Sequence, residues 1–558
     1  MRKLLKNKNL LFVFFILLVA AFLRLYKIAG YMTFLGDEGR DVLVVYNILH
    51  GNLTLLGPTA SVGGFFMGPI YYYFMTPFLW LFNYSPVGPA VMVALFGMAT
   101  VFLVYKVAAE FFDVKAAVFA SLLYAISPLI IAYSRSSWNP NLMPFFSILT
   151  VYFLYKATLK SSSKLFILTG FFYGILLQLH YTSTFLIPAI ILYLIIVEIF
   201  SQKKLKNKFF SVFSRYVYVL SGVLIGFSAF LLFEVRHGFP NIQNILRFVL
   251  FSGETGNNAH FFDNVENVFF RLFGRLITKF PPIEDVSINS SLINIDLFIV
   301  NFKIPVFYLF YFTLFLAYAS ILAFLLKFFK TIFEKKDFKK YIILSLWGFF
   351  GVFMFGFYKK SIYDYYLGFM FPLSFLLVGN LLSSFYTNSQ ELVRYIANFF
   401  SKSSEDRGGN RLKRIDIAGK SIAVVIFTGL VVLNLTGVPF RYPPNQQLAQ
   451  VEKISRFVFD KTNGKPFNFA LITGGNSDHG YRYFFKLWGK DPITIENEMN
   501  DPKRNTVTDQ LLVVCEKIPC APLGDPLWEV AGFGRGEIIG KWNVSVVEVY
   551  KLSHYKGN

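Results

Sequence analysis

The sequence predicts an α-helical polytopic membrane protein with about 11 transmembrane helices and a small extracytoplasmic C-terminal α/β domain. Three observations carry this. Of 558 residues, 55% are hydrophobic and only 16% charged, where a soluble chain is nearer a quarter charged. Apolar stretches of membrane-crossing length, roughly 20 residues, recur down to residue 438. Beyond that point the pattern changes to short alternating runs.

The first apolar segment, 9–28, follows a basic start of Arg2, Lys3, Lys6 and Lys8, which holds the N-terminus in the cytoplasm. Arg24-Leu25-Tyr26-Lys27 follow with no convincing small-x-small cleavage site, so it reads as a retained helix rather than a signal peptide. Further spans are expected at 87–109, 116–133, 142–158, 165–180, 184–200, 217–234, 303–326, 341–357, 364–384 and 420–438. The alternate connections Gln202–Arg215, Lys327–Lys340 and Ser384–Lys420 are strongly basic, as cytoplasmic loops should be. They hold more than half of the net charge of +21, which then reports membrane orientation rather than nucleic-acid binding. An odd number of crossings leaves residues 440–558 outside.

The expected organisation is therefore a transmembrane domain, 1–439, and an α/β domain, 440–558. Gly68–Phe82 is aromatic, broken by Pro77 and too short to span, so it reads as an interfacial helix within a first outer loop, 30–86. A second outer loop, 235–300, carries polar residues and short helices. Thr387–Lys420 has the composition of a mobile cytoplasmic linker. In the C-terminal domain, Phe467–Ile472, Gln510–Val514 and Val544–Tyr550 read as strands and Ser477–Trp488 as a helix.

Chemistry concentrates on the outer face. Gly36-Asp37-Glu38-Gly39-Arg40-Asp41 sets two adjacent carboxylates straight after the first crossing. A carboxylate at the water–lipid boundary can take the proton of an attacking hydroxyl, and Arg40 and Asp41 can hold the pair in place; an ordinary solvated loop is the alternative. Arg135, in Ser134–Asn141, suits a carboxylate or phosphate partner, or headgroup snorkelling. His180 ends the fifth crossing beside Gln178 and Tyr181, and Arg236 and His237 open the second outer loop; each fits phosphate binding or a helix end. Lys359 and Lys360, beside Tyr365 and Tyr366, break the charge rule outside, which suggests a lipid phosphate or interfacial anchoring. Cys515 and Cys520 flank four residues in the outer domain, where a disulfide is permitted and a pair of free thiols is the alternative. Nucleotide-loop and zinc signatures are absent. Gly474–Gly480 reads as a plain strand-to-helix turn and N-cap rather than an anion site.

Taken together, the basic start, the acidic-pair loop, the GPIYYYFMTPFLWLF segment and the short-looped helical run resemble the GT-C membrane glycosyltransferases. Within them the chain is similar to the protein O-mannosyltransferase and lipid A aminoarabinose transferase group, glycosyltransferase family 39. The resemblance covers 9–384 and is strongest in 30–160 and 356–380. It implies a polyprenyl-phosphate sugar as donor, a hydroxyl acceptor on protein, lipid or glycan, and inversion at the anomeric carbon. It also implies Asp37 as the catalytic base with Glu38 beside it, Arg135 at the family's arginine, and Tyr366 and Pro372 at the late Tyr-x-x-x-x-x-Pro signature. Arg135, His180, Arg236, Lys359, Lys360, Tyr365 and Tyr366 are then donor-phosphate or lipid contacts, supported by Arg40, Asp41 and Asn139.

No metal or other cofactor is required by this scheme. The chain departs from the family at Asn139 and Asn141, where an acid is frequent, at Tyr365, where a base is, and at Met67-Gly68, where His-Pro is. The expected location is the plasma membrane of the cell. A transferase of oligosaccharides, a flippase of polyprenyl-linked sugars and a receptor role for the outer domain are the competing readings.

Overall fold

The computed structural model describes residues 8–201, 204–256, 258–297, 300–334, 336–400 and 409–557. Arg2, Lys3, Lys6, Lys203 and the middle of the expected linker, 401–408, lie outside the described residues.

Among the described residues, eight helices are long and apolar enough to cross a membrane, and three shorter apolar helices, Leu10–Leu25, Val114–Ile126 and Ser163–Leu179, fall at the remaining expected spans. The chain is a multi-pass helical membrane protein. The third span is broken in two because Ser127 precedes Pro128 and takes an extended ψ of 121°, the conformation that a following proline enforces; a short helix, Pro128–Tyr133, continues it.

Three expectations need correction. The seventh helix runs Leu205–Gly226 rather than 217–234, and Ser228–His237 is a separate helix. Its early turns carry exposed Phe209, Phe210 and Phe213 straight after Lys206 and Lys208, so the lysine stems can lie along an apolar face while their charges reach water. The linker is largely helical, since flanking helices run to Phe400 and from Gly409; polar side chains do not prevent a helix whose backbone bonds are internal. The second outer loop contains, besides the helices Pro240–Phe251 and Phe261–Gly274, an antiparallel hairpin of β1 (Leu292–Leu297) and β2 (Val300–Pro305), so the next membrane helix starts only at Val306.

Two helices at one end of the bundle position the site. α1 (Lys8–Leu25) delivers the chain to α2 (Gly36–Leu49). Glu38 reaches back to accept a hydrogen bond from Leu35 N at 3.1 Å, the return half of a capping box. With Asp37 it also places negative charge in the first turn, where the helix dipole favours it. α3 (Ile70–Leu81), the aromatic helix anticipated at 68–82, packs on α2 and on the helix Val87–Phe111 by burying Tyr71, Tyr72, Met75 and Leu79.

The C-terminal region forms a four-stranded sheet in the order β3-β4-β6-β5. These are β3 (Asn468–Ile472), β4 (Gln510–Cys515), β5 (Gly536–Val544) and β6 (Val547–His554). β3 and β4 run parallel, and the other pairs are antiparallel. The alternation of side chains across a strand divides its core. Phe469 and Leu471 face the membrane bundle through α4 (Gln447–Lys461) and α5 (His479–Leu487), while Ala470, Leu511 and Val513 pack under Val530 and Phe533. The sequence reading omits α4, although Leu448, Val451, Ile454 and Val458 recur at helical spacing on its buried side. It also omits β5, an exposed edge strand with two glycines.

Candidate active site

The acidic motif opens into an open cleft of about 630 Å³ at the junction of α2, the loop after Tyr133 and the C-terminal domain. Asp37 lines it with its side chain 53% exposed. Arg40 Nη1 holds Asp37 Oδ1 at 2.8 Å, while Nε and Nη2 of the same guanidinium grip Asp41 Oδ1 at 2.9 and 2.8 Å. Among the described residues Asp37 Oδ2 has no protein partner, so one oxygen is fixed and the other is left unengaged on a residue that lines the cleft.

The neighbouring carboxylates are used differently. Glu38 is buried, and beyond Leu35 N it accepts from Thr33 Oγ1 at 2.7 Å. Burial pushes its pKa up against those two hydrogen bonds. Asp41 is fully buried, and burial lifts its pKa to about 7 despite Arg40. Arg40 is held protonated: burial disfavours its charge, but Asp41 and Asp37 more than compensate.

The loop Ser134–Asn141 makes the facing wall. Ser136 Oγ accepts from Thr33 N at 3.1 Å and Asn141 Nδ2 donates to Ser136 O at 2.9 Å. Trp138 lines the cleft and packs against Tyr365 in a tilted contact, with ring centroids 4.4 Å apart. Tyr365 touches Tyr366 at 4.6 Å, and Tyr366 lies 5.0 Å from His180. His180 is buried; its Nδ1 is 2.9 Å from Thr182 Oγ1, which also donates to Tyr366 O at 2.9 Å. The late tyrosines and His180 thus form one aromatic cluster joined to the cleft through Trp138. Asn139 is buried, and its amide donates to Leu179 O at 2.5 Å, tying this wall to a membrane helix.

The cations are dispersed. Arg135 is 1% exposed, with its guanidinium turned away to cap carbonyls that end α1: Nη1 donates to Leu23 O at 2.8 Å and Nη2 to Tyr26 O at 2.6 Å. Those groups are orphan acceptors of a helix C-terminus, which a cation satisfies. Lys360 pairs with Glu254 at 2.6 Å and Lys359 is exposed. Neither these lysines nor Arg135 lines the cleft. Arg236 is exposed at the end of its helix.

Sequence reasoning missed Arg271 and Arg275, which converge on Asp364 at 3.3 and 2.7 Å. That cluster lies within electrostatic reach of Tyr133 on the cleft wall. The signal available was their i, i+4 spacing on the amphipathic helix Phe261–Gly274 and its end.

The remaining wall comes from the Gly474–Gly480 segment, taken from sequence as a plain turn. Gly475, Asn476 and Ser477 line the cleft beside the acidic motif, where Asn476 contacts Gly36. Cys515 and Cys520 are joined by a disulfide just behind it. Among the described residues, no three His, Cys, Asp or Glu side chains converge as a metal-binding set.

Residues 67–233 match the family model described as dolichyl-phosphate-mannose-protein mannosyltransferase. No curated protein matches the chain in sequence. Among solved structures, ArnT from Cupriavidus metallidurans bound to undecaprenyl phosphate superposes with a TM-score of 0.56 at 12% identity, over 97% of this chain and 97% of that one. The Archaeoglobus fulgidus oligosaccharyltransferase in its apo form gives 0.51 at 13% identity, over 90% of this chain and 69% of that one. The same archaeal enzyme tethered to an acceptor peptide gives 0.50 at 14% identity, over 90% and 68%. The chain therefore shares its fold with these two membrane proteins, and its residues 67–233 resemble the mannosyltransferase family.

Proposed function

We propose that this protein transfers a sugar from a polyprenyl-phosphate donor to a hydroxyl acceptor in the Asp37 cleft, on the extracytoplasmic face, with inversion. One observation carries the reading: a carboxylate in an open cleft with Oδ1 locked by Arg40 and Oδ2 unpartnered. The acceptor oxygen gives its proton to Asp37 Oδ2 and attacks the anomeric carbon. The bond from that carbon to the phosphate oxygen breaks, and the electron pair leaves with the polyprenyl phosphate. A phosphate is already a weak base, so no general acid is needed, in contrast to the paired carboxylates of glycoside hydrolysis. Cationic groups near the phosphate stabilise its growing charge. Lys359, exposed beside the tyrosine cluster, and the Arg271–Arg275 pair are the candidates. The match to the mannosyltransferase model and the fold shared with an undecaprenyl-phosphate-bound transferase support a lipid-linked donor.

The test is incubation of purified protein in nanodiscs with radiolabelled polyprenyl-phosphate sugars and hydroxyl-bearing acceptors. Label should move to acceptor, release of polyprenyl phosphate should match it, and Asp37→Asn should abolish both. Label crossing vesicles with the donor intact would instead support a flippase. Mass analysis of the transferred unit separates a single sugar from the oligosaccharide that the archaeal likeness raises as a second reading.

A further inference from the structure

The C-terminal domain meets α2 at the two glycines of the acidic motif. A Cβ on Gly36 would overlap Ser477 Oγ, and one on Gly39 would overlap the Gly480 backbone nitrogen. Neither glycine has a positive φ, so both are needed for room rather than for conformation.

Through the gap at Gly36 reaches Asn476. Its Oδ1 accepts from Gly36 N at 2.9 Å, satisfying one of the orphan amides of a helix start, and from Ser477 N at 2.9 Å. Its Nδ2 donates to Glu516 at 3.0 and 3.2 Å. Glu516 also accepts from Thr473 Oγ1 and from Tyr481 OH, each at 2.8 Å. It directly follows Cys515, the last residue of β4 and one end of the disulfide. A continuous polar chain therefore runs from the sheet through Glu516 and Asn476 to the residue before Asp37.

We propose that Asn476, oriented by Glu516, is a positioning residue for Asp37: the C-terminal domain clamps the first turn of α2 so that the carboxylate is held against the acceptor. This rests on the reading of Asp37 as the base. A reacting group displaced by about 1 Å costs up to about 100-fold in rate, so one lost amide contact has a measurable consequence. A domain that only covers the cleft would show none.

The experiment uses the full chain in nanodiscs. Asn476→Ala should lower kcat by about 10- to 100-fold with the donor KM unchanged. Asn476→Asp should do the same by setting two carboxylates together. Asn476→Asp combined with Glu516→Gln restores the contact with donor and acceptor exchanged, and kcat should return to within about threefold of the parent. An unchanged kcat in Asn476→Ala, or a double variant no better than Asn476→Asp alone, overturns the clamp. Hydrogen exchange of the peptide containing Gly36 gives a readout independent of turnover. Where no polyprenyl-phosphate sugar is consumed, faster exchange in Asn476→Ala upholds the clamp on the first turn of α2; unaltered exchange overturns it whatever the activity, and faster exchange with unchanged kcat overturns the positioning role.

Discussion

Asp37 and Asp113 are both carboxylates at the start of an α-helix, at opposite ends of the bundle, each on a cleft of about 630 Å³. Asp113 is spent on structure. It caps the helix Val114–Ile126 by accepting from Ala116 N at 2.8 Å, takes the Ser383 hydroxyl at 2.6 and 2.7 Å, and faces Lys327 at 4.0 Å. Asp37 keeps one oxygen for the cleft, because a single guanidinium holds the other. Cleft size and residue type do not separate the two; the number of partners does. A carboxylate held on both oxygens by an amide and a hydroxyl anchors a fold, whereas one oriented by a single charge is available for proton transfer.

The largest expected effect tests that contrast directly. Asp37→Asn should reduce transfer by about 10²- to 10⁴-fold while thermal unfolding in detergent stays unchanged. Asp113→Ala should do the reverse, costing about 1 kcal/mol of stability with the activity per folded molecule retained. Similar losses from both would dissolve the distinction.

Arg135→Ala sharpens it next. Removing a buried charged donor from two carbonyls should cost about 2–3 kcal/mol, read as a lower unfolding temperature, with the folded fraction still active. Lost kcat at undiminished stability would return Arg135 to the donor phosphate.

A third test is the pH dependence of stability. Asp41 titrates near 7 when folded, lifted by burial, and near the ordinary 3.8 when unfolded. Between those values the native state holds the extra proton, so Asp41's contribution to stability falls as pH rises from about 4 to 7 and then levels off. Asp41→Asn should flatten that part of the profile in chemical-denaturation titrations. An unchanged slope would assign it to other groups.

The smallest effect belongs to the lysines. Lys359→Ala should raise the donor KM by about threefold with kcat retained, whereas breaking the exposed Lys360–Glu254 pair should change stability by less than about 1 kcal/mol. Equal, negligible shifts in both variants would leave the phosphate to Arg271 and Arg275.

The membrane helices and the acidic motif were readable because their signals are local. A run such as Val87–Phe111 must find an apolar environment wherever it lies, and two adjacent carboxylates after a membrane helix carry a cost visible in one dimension. Other assignments depend on partners remote in sequence. Arg135 reads equally as a phosphate ligand until Leu23 and Tyr26 are seen to take both of its terminal nitrogens. Arg271 and Arg275 gain meaning only through Asp364.

Residue order alone thus specified a multi-pass helical bundle and its acidic motif, since hydrophobic length and charge placement are properties of short segments facing a slab of lipid. Three-dimensional packing decided which carboxylate oxygen stays available, and it made an unremarkable turn at Gly474–Gly480 into a wall of the cleft. Hydrogen bonds reach only about 3 Å, so whether Asn476 meets Gly36 depends on how two distant parts of the chain dock.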